Sequence, residues 1–310
     1  MEASAYAPRV PDATSPVPPG PPSAVPRGPL DRVPAPALFV VSGLTLYLGA
    51  AVAVGLFGTL GAPTVSWWRI VLAAVVLLAW RRPWRRRWTR HDIVVAGLFG
   101  TALAAMNIVF YVAIDHLPLG VAVAIEFTGP IAVAAITGRG WRERGAIVVA
   151  AAGVILLAGV TLDSDLPRGD VIVGLLAVLA AAACWAGYIV LGKRVAGGGA
   201  GIDGLAIGML VGALVFAPFF GRSVVTVVPD LGLLGFLLVV AVCSSVVPYV
   251  LDQVVLRRVG TATFSVLLAM LPATAAVIGA VVLRQVPTWP EIVGLVLVSG
   301  AIVMTATGRE

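Results

Sequence analysis

The residue types able to do chemistry are few in this chain, and they stand inside apolar sequence. Glu126 lies in the run Ala124-Ile125-Glu126-Phe127-Thr128-Gly129-Pro130, part of an otherwise uncharged stretch long enough to cross a bilayer. Burying an acid at that depth costs about 2.5–3.5 kcal/mol on insertion scales, so its presence points to function. The alternative is a protonated Glu that hydrogen-bonds a neighbouring helix and only packs. Four residues on, Pro130 has no N–H, and its ring collides with the Glu126 carbonyl. One acid and one freed carbonyl at the same level are what a kinked helix needs to form a polar transport site.

Further polar groups recur at matched spacing. Asn107 and Tyr111 are four residues apart, so they share a helix face, and Ser245 and Tyr249 repeat that spacing. Asp252 falls on the same side as Tyr249. Pro248 frees the Ser244 carbonyl as Pro130 does that of Glu126, and Pro272 marks a third kink. Each polar pair can line a substrate site or make an isolated interhelical hydrogen bond worth roughly 0.6 kcal/mol. Arg69, in Ser66-Trp67-Trp68-Arg69, can snorkel to the interface beside belt tryptophans or face the bundle and bind an anion. Trp185 and Tyr188 can wall a cavity, although aromatic packing is the commoner use of such a pair. Cys184 and Cys243 read as small apolar packing residues. His91 and His116 have no partner at ligand spacing, so a metal site has little support.

The elements that must position these groups are membrane-spanning helices. Sixty per cent of the chain is hydrophobic and 12% is charged. A soluble domain is nearer half apolar and a quarter charged. The apolar runs are continuous and do not alternate, which excludes a β-barrel. Ten spans are expected, near 38–58, 64–80, 93–113, 119–137, 145–162, 171–192, 204–221, 231–251, 261–283 and 291–307. Residues 1–36 contain eleven prolines and read as an extended tail without a secretory signal. With the tail in the cytoplasm, seventeen Lys and Arg fall on the cytoplasmic side and three on the other. That asymmetry predicts both termini inside. The run Arg81–Arg90, with Trp84 and Trp88, is then a topology anchor and not a nucleic-acid patch. Gly204, Gly208 and Gly212 make two GxxxG steps in the seventh span, suited to close packing or to a homodimer face.

The chain also repeats itself at an offset of about 140 residues. Phe110-Tyr111-Val112 returns as Pro248-Tyr249-Val250, and Pro130 returns as Pro272. Five spans per unit is an odd number, so residues 37–165 and 166–307 are expected as two inverted five-helix repeats. Such repeats surround a midplane site in alternating-access transporters.

These features resemble the drug/metabolite transporter superfamily built from two EamA units, and within it the bacterial threonine/homoserine exporter branch. The phrases carrying the likeness are AIEFTGPIAVA from Ala124, ACWAGYIVLGKR from Ala183 and SVVPYVLDQVVL from Ser245, and it covers roughly residues 40–307. The resemblance implies a proton-driven exporter of small neutral amino acids or related metabolites in the cytoplasmic (inner) membrane. In it Glu126 would bind in turn a proton and the substrate ammonium. Tyr111, Tyr249, Asn107 and Ser245 would supply hydrogen bonds, Asp252 would keep the branch's second acid on a shorter arm, and Arg69 is the candidate for the substrate carboxylate. Leu271 and Leu283-Arg284-Gln285 depart from the family, which tends to carry an acid at each place. Nothing in the residues suggests a cofactor. An intramembrane enzyme lacks a paired nucleophile and base, or a metal set. Export of drugs or other metabolites, and a non-transport scaffold, are the remaining alternatives.

Overall fold

A computed structural model describes residues 33–137, 140–196, 201–259 and 261–307. Every regular element among them is helical, as backbone in lipid requires when no barrel closes. The main helices are α1 (Ala35–Val54), α2 (Ala62–Arg81), α3 (Arg90–His116), α4 (Leu119–Glu126), α5 (Thr128–Thr137), α6 (Trp141–Leu162), α7 (Arg168–Ala196) and α8 (Gly201–Phe220). After them come α9 (Leu231–Ala241), a π turn (Val242–Val246), α10 (Val247–Arg258), α11 (Thr261–Leu268), α12 (Leu271–Val282) and α13 (Trp289–Thr307). Eight stretches are long and apolar enough to cross a membrane; the last two expected spans hold the shorter apolar helices Val266–Val282 and Trp289–Thr305. The protein is therefore a multi-pass membrane protein. Of the proline-rich tail, residues 1–32 lie outside the described residues, and Ala35–Glu310 forms one compact unit.

Local signals set several boundaries. Thr89 caps α3: its hydroxyl accepts the Asp92 N–H and the Asp92 carboxylate accepts the Thr89 N–H, each at 3.1 Å. Asp230 caps α9 by accepting the Leu233 N–H at 2.9 Å. The fourth span breaks at Phe127, between Glu126 and Pro130, and the eighth passes through the π turn just before Pro248. The ninth breaks between Leu268 and Leu271, next to Pro272.

Packing crosses the two sequence halves. Helix α3 lies against α7 and α8, α1 against α10 and α12, and α6 against α13. Glycine makes the closest of these approaches. A Cβ on Gly100 would sit 1.8 Å from the Gly208 carbonyl oxygen, and one on Gly212 would sit 2.6 Å from that of Gly100. Gly208 and Gly212 of the seventh span are thus used within the chain, against α3, where small residues let two backbones meet. Leu98, Ile155, Leu176, Leu214 and Val281 are exposed, as residues facing lipid tails can be without loss.

Candidate functional site

Arg69 does not snorkel. Its guanidinium is buried, two turns inside α2, and points at the broken eighth span. Nε donates to the Ser245 hydroxyl at 2.7 Å, and Nη2 donates to the Ser244 carbonyl at 2.8 Å. That carbonyl is the one Pro248 frees, since the residue that would have bonded it has no N–H. A lone buried cation is expensive, and here a freed backbone dipole and a hydroxyl solvate it. The aromatic face of Tyr111 adds a third contact, with the guanidinium carbon 5.3 Å from the ring centroid. Trp67 and Trp68 are not belt residues either. Both are buried, Trp67 donating to the Ala213 carbonyl at 2.9 Å and Trp68 to the Ser223 hydroxyl at 2.8 Å.

Glu126 ends α4 at the break and is buried. It and Arg69 interact electrostatically, yet among the described residues no hydrogen bond or salt bridge reaches its carboxylate. Gly129 lets this break seat closely on α7, because a Cβ there would lie 2.1 Å from the Ala182 carbonyl oxygen. Phe127 meets Trp185 edge-on at 4.7 Å, so Trp185 packs as aromatic core. The Tyr188 side chain lies outside the described residues.

Asn107 and Tyr111 are both buried on α3, and Asn107 faces Tyr249 of α10 while donating to the Leu103 carbonyl at 2.7 Å. Tyr249 also lies within the electrostatic reach of Arg69 and Glu126. Asp252 sits further along α10, where its carboxylate accepts the Ser42 hydroxyl at 2.8 Å. The structure therefore brings buried Arg69, Tyr111, Glu126, Asn107 and Ser245 into one polar group with half-buried Tyr249. Asp252 stands apart, tied to α1.

Sequence reasoning missed two members, Tyr47 and Ser42, and named Ser244 only for its freed carbonyl. Tyr47 on α1 is buried in the neighbourhood of both Glu126 and Asp252. Ser42 fixes Asp252, and Ser244 presents its carbonyl to Arg69 while its hydroxyl donates to the Leu46 carbonyl at 3.2 Å. The signal for Ser244 was its place four residues before Pro248. Tyr47 and Ser42 stand on a first span with no acid or kink to draw attention. Gly49 brings that span onto the π turn, since a Cβ there would lie 2.2 Å from the Ser244 hydroxyl. The two positions that depart from the family's acids have structural uses. Leu271 packs against Gly43, and the Gln285 side-chain oxygen accepts the Leu119 N–H at 3.0 Å, capping α4.

Inside a bundle of apolar spans, a buried cation thus faces the break of the eighth span and a buried acid ends the first half of the fourth. The family model "EamA-like transporter family" matches residues 172–307. The threonine/homoserine exporter RhtA of Salmonella typhimurium is 37% identical over 253 residues, 82% of this chain and 84% of its own. That of Escherichia coli K12 is 35% identical over 271 residues, 87% of this chain and 89% of its own. The chain belongs to the EamA-like transporter family. One crystal structure superposes on this transporter with a TM-score of 0.54 at 15% identity, over 87% of this chain and 94% of the other, which shows a common fold. The transporter is thus a membrane carrier and not an enzyme.

Proposed function

We propose that this transporter exports small neutral amino acids of the threonine/homoserine kind across the cytoplasmic membrane, in exchange for protons. One observation carries the reading. Glu126 and Arg69 are opposite charges in the same buried group that are not joined to each other. A zwitterionic amino acid fits that arrangement, its ammonium on Glu126 and its carboxylate on Arg69, where two of the five guanidinium N–H groups are already used. The similarity to threonine/homoserine exporters supports the substrate class.

In this mechanism Glu126 carries either the ammonium or a proton, never both. Substrate loaded from the cytoplasm leaves on the far side when a proton takes its place, and release of that proton inside resets the carrier. Asn107, Tyr249 and Ser245 shape the site, and the breaks at Pro130, Pro248 and Pro272 let half-helices rock around it. Ten spans in two inverted units, 37–165 and 166–307, with both termini in the cytoplasm, supply the alternating access. The recurrence of Pro and Tyr positions between the halves supports that division, and the Arg-rich loops support the orientation.

Counterflow in proteoliposomes tests the proposal. Vesicles preloaded with unlabelled threonine are expected to take up labelled threonine, a pH gradient is expected to drive net movement, and Glu126→Gln is expected to abolish the latter. Folded protein that moves no neutral amino acid would return the substrate to drugs or other metabolites.

A further inference from the structure

Among the described residues, two buried hydroxyls have no hydrogen-bond partner: those of Ser66 and Tyr111. One shares a helix face with Arg69, and the other lies against its guanidinium. Ser66 stands one turn before Arg69 on the same face of α2, and both side chains are buried. The Tyr111 ring lies under the guanidinium. Its hydroxyl lies near Arg69 without reaching hydrogen-bond geometry with any group.

An orphaned hydroxyl is unusual in a membrane helix, because such groups normally bond back to a carbonyl one turn earlier. Other helical hydroxyls in this chain do so. Thr45, Thr101, Thr137, Thr161 and Thr274 each donate to the carbonyl four residues back, at 2.7–3.0 Å. Ser66 turns away from that option. An unpaired buried hydroxyl is costly, so one held open beside a cation with free donors suits a ligand bearing several acceptor oxygens.

We propose that Ser66 and Tyr111 complete a carboxylate-binding site on Arg69, each donating its hydroxyl proton to an oxygen of the transported amino acid. The inference rests on the amino-acid reading above and makes these two residues the specificity determinants for the acid end of the substrate. A carboxylate has acceptor room for the guanidinium fork and both hydroxyls, whereas a carboxamide adds an NH2 group that faces donors with donors.

The test is competition against labelled-threonine counterflow by threonine and by threoninamide, which keeps the ammonium and loses the carboxylate. Wild type, Ser66→Ala, Tyr111→Phe and the double variant are compared. Each change removes little more than one oxygen atom, and size-exclusion chromatography checks folding. Wild type is expected to prefer threonine over the amide, and each variant to lose about fivefold of that preference. The affinity for threoninamide itself should not change. A preference unchanged in the double variant overturns the proposal. So does an equal loss of affinity for both compounds, which would mean that the hydroxyls only pack or hold water. Absence of threonine counterflow in wild type overturns the amino-acid reading, and this inference with it.

Discussion

The fourth and eighth spans use one device to opposite ends. Each is an apolar helix interrupted beside a proline, Pro130 in one and Pro248 in the other. In the eighth span the break is closed. The Ser244 carbonyl accepts Arg69, the Ser245 hydroxyl accepts it too, and Asp252 downstream is held by Ser42. In the fourth span the break ends on Glu126, whose carboxylate has no hydrogen bond among the described residues. The satisfied break is a fixed anchor that orients a cation. The unsatisfied one is where a ligand or a proton can gain energy that the fold has not already taken.

The largest effect that sharpens this contrast is expected at the open break. Glu126→Gln should reduce gradient-driven transport to background while leaving elution volume and thermal midpoint as in wild type. Wild-type transport by that variant would remove Glu126 from the mechanism. At the closed break the pattern should differ. Arg69→Met leaves the Ser244 carbonyl buried without a donor, so both transport and stability should fall, the latter by about 1–3 kcal/mol. A variant as stable as wild type would show that the anchor is not structural. Gly129→Ala comes next. The added methyl must displace the backbone at Ala182, so the thermal midpoint and transport rate should both drop, whereas Gly187→Ala on α7, with open space around it, should change neither. Comparing the two melting curves isolates the seating of the Glu126 break from the general cost of altering a glycine. The smallest effect belongs to Ser42→Ala, which frees Asp252 at a cost of about 0.6 kcal/mol, the usual worth of an interhelical hydrogen bond. Transport slowed only a few-fold fits a positioning contact. Loss as complete as in Glu126→Gln would instead promote Asp252 to an equal partner of Glu126.

Much of this was legible in sequence because lipid imposes simple rules. An apolar run of bilayer length becomes a helix whatever its neighbours, so the first eight expected spans fall on helical stretches long enough to cross a bilayer and the last two on shorter apolar helices. Proline acts on the carbonyl four residues before it, so the freed Ser244 carbonyl could be foreseen, although not that Arg69 would fill it. The rarity of acids in such runs singled out Glu126. Contacts between halves were beyond reach. Ser42 and Asp252 are 210 residues apart and Arg69 and Ser245 are 176 apart, with no local pattern linking them.

The sequence by itself determined that this is a helical membrane protein, where its helices break, and which acid stands at a break. Those outcomes follow from local chemistry: hydropathy, the missing proline N–H and the desolvation of charge. Only the tertiary structure decided that Arg69 turns inward, that Trp67 and Trp68 are core, that Gly208 and Gly212 pack on α3, and that Ser66 and Tyr111 are left unpaired. Each depends on which helix lies opposite, and in a bilayer that is settled by backbone fit at small residues and by polar groups finding partners, since apolar burial gives neighbouring helices little preference over lipid.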